Sequence, residues 1–141
     1  MVRETSTFET GVDGWTTPVT GLAFTRDAYG TPSVNTGPYA GAGGSTFYMY
    51  CETSGQSYQT FDMQKTFAAG QELYAIAFQY HKYGSTMGSA VLEGSADGAS
   101  WVSLWSQSGN FGNQWNQATV YADPGQLMVR FTYTAGSSFT G

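Results

Sequence analysis

The sequence predicts an all-β domain, an antiparallel two-sheet jelly-roll sandwich. Apolar residues recur with a period of two in run after run, and strands place alternate residues on one face. Turn dipeptides separate these runs at short intervals, as in sandwiches and jelly rolls. No stretch of a dozen residues keeps apolar positions at helical spacing without Gly or β-formers interrupting it.

In chain order, Ser6–Phe8 and Leu22–Arg26 are short, weakly patterned strands. Phe47, Met49 and Cys51 then alternate with Tyr48, Tyr50 and Glu52. Phe61, Met63, Lys65 and Phe67 alternate with Asp62, Gln64 and Thr66. In the next run Tyr74, Ile76, Phe78 and Tyr80 alternate with Leu73, Ala75, Ala77 and Gln79. Both faces of that run are apolar, so it is expected in the middle of a sheet. Ser89–Glu93 and Trp101–Trp105 flank Asp97-Gly98, the clearest hairpin signal. Ala118–Ala122 follows, and Leu127, Val129, Phe131 and Tyr133 alternate with Met128, Arg130 and Thr132. Ala69-Gly70, Tyr83-Gly84, Asp123-Pro124-Gly125 and Ala135-Gly136 mark further corners. The Gly-rich Thr36–Ser45 and the Gln/Ser/Asn-rich Ser106–Asn116 read as loops. Thr36–Ser45 resembles no phosphate-binding loop, since it lacks the Lys and no helix follows.

Composition narrows the function. At 141 residues the chain fits one domain with its own core. Charged residues make up 11% and aromatic residues 16%, the reverse of the balance that keeps chains disordered. Five basic residues, scattered at Arg3, Arg26, Lys65, Lys82 and Arg130, face ten acidic ones. Nucleic acid is therefore excluded as a partner, because phosphate binding needs clustered cations. The apolar runs are too short to span a membrane as a helix. One cysteine, Cys51, permits no internal disulfide and no multi-cysteine zinc motif; it reads as a small buried apolar residue. No basic region followed by an apolar stretch begins the sequence, so no signal peptide is expected within it. The Ser/Thr/Gly/Tyr-rich, Lys-poor composition suits an extracellular, cell-surface or virion-surface protein.

A set of short motifs, in order, resembles one family. Phe8-Glu9 and Gly14-Trp15-Thr16 are similar to the opening of a MAM (meprin, A5, receptor phosphatase mu) domain. Thr36-Gly37-Pro38, Phe47-Tyr48-Met49-Tyr50 and Glu52-Thr53-Ser54 resemble its next block. Phe78-Gln79-Tyr80-His81-Lys82-Tyr83-Gly84, with Met87-Gly88, resembles its most recognisable stretch. Leu104-Trp105, Gly109, Gly112, Trp115, Val129-Arg130-Phe131 and Phe139-Thr140-Gly141 follow in the family's order. The resemblance covers nearly all of a single domain spanning 1–141. It implies a jelly roll with a non-catalytic role in adhesion or assembly outside the cell, often between like domains. It also implies structural roles for Phe8, Glu9, Trp15, Tyr80, His81, Tyr83, Gly84, Trp105 and Trp115, with the three tryptophans in the core. Animal members carry paired cysteines, so this chain is more like cysteine-poor microbial or viral versions. Members continue past the Thr-Gly pair with an acidic, apolar strand near the N-terminal one; that final strand is missing from 1–141. Members also tend to carry an Asp before the Phe47 block, where this chain has Gly and Ala. Both acidic stretches are cation ligands by chemistry; without them Glu9, Asp13 and Glu52 are the remaining candidates for calcium. No other cofactor is expected.

Catalytic patterns are sparse. The single histidine, His81, reads as a hydrogen-bonded structural residue rather than a general base. A retaining or inverting glycosidase needs two carboxylates about 5–9 Å apart, and no strand carries such a pair. The chain is read as a non-enzyme. Three functions remain. The first is a protein–protein module contacting copies of itself or neighbouring domains. The second is a carbohydrate-binding module, with Tyr29, Tyr39, Tyr58 and Trp101 as stacking residues. The third is a filament or virus-particle subunit completed by strand exchange at an unpaired edge.

Overall fold

The computed structural model describes residues 3–141. Nine strands form two layers: β1 (Leu22–Ala23), β2 (Thr25–Ala28), β3 (Phe47–Tyr50), β4 (Thr60–Thr66), β5 (Ala75–His81), β6 (Ser89–Ser95), β7 (Val102–Ser108), β8 (Trp115–Tyr121) and β9 (Met128–Thr134). One layer is a continuous five-stranded sheet in the order β1-β4-β9-β6-β7. It is antiparallel except for the short β1, which runs parallel to β4. The other layer is split into two ribbons, β2-β3 and β5-β8, with no ladder between them.

Register explains the core. Phe61 lies opposite Tyr133, Met63 opposite Phe131, and Phe131 opposite Leu92. This row faces the second layer, while Thr60, Thr134, Ser89 and Ser108 form a polar ladder on the other face. Leu92 and Val129 are fully buried, and Phe61, Tyr133 and Ala135 gather Leu22, Phe24, Cys51, Met87 and Ala90 around them. Aromatic rings join the layers: Phe78 of β5 lies 5.0 Å from Phe131 and 4.9 Å from Trp105, and Tyr80 lies 5.0 Å from Trp105. Edge-on geometry at these distances adds to the area buried.

Four of the five cations lie against rings. Arg26 sits 3.7 Å from the Phe47 centroid, Arg130 4.0 Å from Trp101, Lys82 5.2 Å from Tyr133 and Lys65 5.9 Å from Phe67. All fall within the range where a ring face attracts a cation.

Several expectations change. Ser6–Phe8 forms no strand; its backbone is held by side chains, with Thr7 and Phe8 donating to Asp13 Oδ2. Leu22–Arg26 is two strands in different layers. The Ser106–Asn116 loop shrinks to 109–114, because polar residues extend both β7 and β8. The largest change is β5. Its two apolar faces suit a central strand, yet it pairs only with β8 and leaves one edge open. Trp15, Trp105 and Trp115 are half-buried rather than core, because a cavity leaves one side of each ring open.

Candidate functional site

The split layer opens onto a cavity of about 1110 Å³. Ribbon β2-β3 contributes Met49 and Tyr50, ribbon β5-β8 contributes Ile76 and Phe78, and the continuous sheet supplies Met63 and Phe131 as a floor. Small-molecule pockets usually measure about 300–1,000 Å³, and native interiors close around their side chains. A space this large between two apolar faces is a groove rather than a packing fault.

One end of the groove is closed by chain crossings. Thr36 Oγ1 and Gly37 N donate to the Tyr83 carbonyl, docking the Gly-rich loop beyond the end of β5. That loop is ordered by a 3₁₀ turn at Ala42–Gly44, and Trp115 Nε1 donates to its Ala40 carbonyl. Trp115 lies edge-on to both His81 and Tyr48. At the same end Thr53, just after β3, donates to the Phe139 carbonyl, and the Thr86 amide, in the turn that follows β5, donates to the Thr140 carbonyl. Gly84 is buried there, close against Thr140.

Two polar groups on this wall are incompletely served. Lys82 is 3% exposed, and its ammonium donates to the Gly88 carbonyl, with no ion pair among the described residues. Burial pulls its pKa down to about 8, against a small opposing pull from the Cys51 side. Burial likewise raises the thiol of the partly buried Cys51 well above its usual value, which disfavours the reactive thiolate. His81 Nε2 meets Asn113 Oδ1 at 3.1 Å, and among the described residues its buried Nδ1 has no partner. Burial lowers the His81 pKa, partly offset by the Asn113 bond.

The stacking candidates are not brought together in one cluster. Tyr29, Tyr39 and Tyr58 are 74%, 79% and 69% exposed. Tyr39 packs against Gly30, next to Tyr29, whereas Tyr58 is anchored elsewhere by its N–H to Gly136. Trp101 is not a free ring, because Arg130 covers it and its Nε1 donates to Gly98. The calcium candidates also stay apart. Glu9 accepts from the Thr46 and Phe47 amides, Asp13 from Thr7 and Phe8, and Glu52 from Ser54. Among the described residues no three His, Cys, Asp or Glu side chains are grouped to hold a metal ion.

Sequence reasoning missed Asp62. It is 2% exposed and accepts from Val19 N, Thr20 N, Thr20 Oγ1 and Gly21 N, fastening the 17–21 loop across β4. Burial alone would raise its pKa, but these bonds outweigh it and hold the carboxyl below the usual range. An Asp inside an alternating strand was the available signal.

The family model for the MAM domain, meprin/A5/mu, matches residues 6–140. Neuropilin-1a of Danio rerio is 32% identical over 117 residues, which is 76% of this chain and 12% of that protein. MAM domain-containing glycosylphosphatidylinositol anchor protein 1 of Rattus norvegicus is 34% identical over 122 residues, and that of Homo sapiens 33% over 118. Each match covers 77% of this chain and 12% of the relative, so the chain spans a small part of their length. A solved family 29 carbohydrate-binding module overlaps 89% of this chain and 91% of its own, at 10% identity and a TM-score of 0.34. With the family model matching nearly end to end, the chain belongs to the MAM domain family.

Proposed function

We propose that this MAM domain is a non-catalytic interaction module at an extracellular surface, making protein–protein contacts with copies of itself or with neighbouring domains. The observation that carries this reading is the MAM family match over residues 6–140. Two of the relatives are named as glycosylphosphatidylinositol anchor proteins, which supports a surface setting. Among the described residues no helix is long and apolar enough to cross a membrane.

Sedimentation velocity across a wide concentration range, with aggregation of protein-coated beads, tests the proposal. Association that grows with concentration, with clumping beads, is the expected result. A species that stays monomeric throughout, with dispersed beads, rejects it. Carbohydrate binding is the second reading, favoured by exposed Tyr39 packed beside the Tyr29-Gly30 turn. Under it, a glycan array gives hits that Tyr39→Ala removes.

A further inference from the structure

The two flanks of the sandwich are finished differently. On one flank the chain closes its own edges. β1 has only two residues, the β4 edge beyond it is bridged by Thr16 at Gln64, and Asp62 fastens the 17–21 loop there. β2, in the other layer, carries Arg26 and Asp27, and Arg26 donates to the carbonyls of Phe8 and Glu9. Short strands, charges and covering segments ordinarily keep sheet edges from pairing with other chains. The opposite flank, where β7 and β8 are outermost, has none of these. Both strands are seven residues long, and residues 98–122 contain no Asp, Glu, Lys, Arg, His or Pro. The register of β7 against β6 shifts at Leu92/Glu93, a bulge that blunts β7 as an edge. β8 has no such break: it pairs one-to-one with β5 along its whole length, and among the described residues its main chain bonds to nothing else. Gln117, Thr119 and Tyr121 are its exposed side chains.

We propose that the outer edge of β8 is the contact through which two copies of this chain meet, β8 against β8, antiparallel across a twofold axis. Charge and symmetry select the second copy as the occupant. Each chain carries a net charge of −5, so copies approach closely only where like charges are absent, and β8 has no charged side chain. An antiparallel strand is also its own complement. With the axis at Ala118 all of β8 overlaps, and Gln117 of one copy lies opposite Thr119 of the other. The main-chain groups turned away from β5 then find partners, and no pairing sets one charge against another. The inference rests on the protein-interaction reading and names its surface and its partner, a second copy.

Sedimentation equilibrium of the full chain and two variants tests this, together with hydrogen exchange of the unsubstituted chain at low and high concentration. Gln117→Lys brings two ammonium groups near each other across the axis, and Thr119→Glu does the same with two carboxylates. Each is expected to weaken association about fivefold, the upper range for a like-charged cross-strand pair. The sign for Gln117→Lys is diagnostic. It lowers the net negative charge, so a contact governed by net charge alone would tighten instead. Mixed together, the two variants set an ammonium opposite a carboxylate and should associate at least as tightly as the unsubstituted chain. Hydrogen exchange needs no variant: at high concentration the β8 amides turned away from β5 should gain protection. A mixture no tighter than either variant alone overturns the antiparallel pairing. So does exchange of the β8 amides that is independent of concentration. Association that both variants leave unchanged, with protection on other strands, rejects this edge while the interaction reading stands. A chain that stays monomeric at every concentration rejects both.

Discussion

Asp62 and Lys82 are both buried charges without an ion-pair partner among the described residues, and they affect stability in opposite ways. Four donors converge on the Asp62 carboxylate. An amide in its place would turn an –NH₂ toward some of those N–H groups, so Asp62→Asn should cost about 1–3 kcal/mol in urea unfolding. Its folded pKa lies below the unfolded value. Its contribution is therefore present above the unfolded carboxyl pKa, near 4, and is lost as pH falls through the folded value. The penalty of Asp62→Asn should shrink over that acidic window. Lys82 works the other way. With a folded pKa of about 8 and an ordinary value of 10.5, the unfolded chain holds the extra proton between those limits, so stability gains as pH rises through that window. Comparing denaturation of the native chain and Lys82→Met isolates this, because both share the Cys51 thiol, raised by burial, and the phenols of Tyr48, Tyr50 and Tyr133, which are pushed up to about 12 mainly by burial. The native chain should gain on the order of 3 kcal/mol relative to Lys82→Met from pH 8 to pH 10.5. A flat difference would mean the ammonium is solvated.

At the level of elements, tight crossings near the closed end of the groove matter more than propensity. A Cβ on Gly136 would collide with the Thr86 carbonyl, where the 136–141 segment passes the residues following β5. Gly136→Ala should therefore lower stability by more than about 1 kcal/mol, measured by thermal unfolding. Alternation was enough to locate β4, β6, β7 and β9, because each has one apolar and one more polar face, and Asp97-Gly98 did mark the β6–β7 hairpin. At this turn Ser95 Oγ accepts from Asp97 and Gly98, while Asp97 accepts from Ala99 and Ser100. What the sequence could not show was who pairs with whom. Residues such as Ala75 and Phe78 made β5 look apolar on both faces, yet Ala75, Ala77 and Gln79 are exposed and β5 pairs only with β8, because pairing and cover depend on strands distant in the chain. Nor did any motif foretell that Glu9, Asp13 and Glu52 would each be taken up by nearby amides, because such bonds are set by loop geometry. The Trp101 ring was misjudged for a similar reason: its cover, Arg130, comes from β9.

For the whole molecule, charge shapes association. The net charge is −5, and most of the few cations are tied to rings, so approaching copies meet mainly carboxylates. Self-association should strengthen as salt rises and screens that repulsion, whose reach is about 10 Å at 0.1 M; sedimentation at low and high salt checks this. Calcium chelation should leave it unchanged, which the same sedimentation with a chelator tests. The cation–ring contacts have a second consequence, for proteolysis. Trypsin cuts only after Lys or Arg, and here Arg26, Lys65 and Arg130 lie within strands while Lys82 is buried. Arg3, exposed and outside any strand, is the one accessible scissile position. The folded domain should thus lose a few N-terminal residues to trypsin and then persist, while exposed Tyr29, Tyr39 and Tyr58 give chymotrypsin easier entry. Digestion by the two enzymes side by side would then separate loop opening, which chymotrypsin reports, from global unfolding, which trypsin must await.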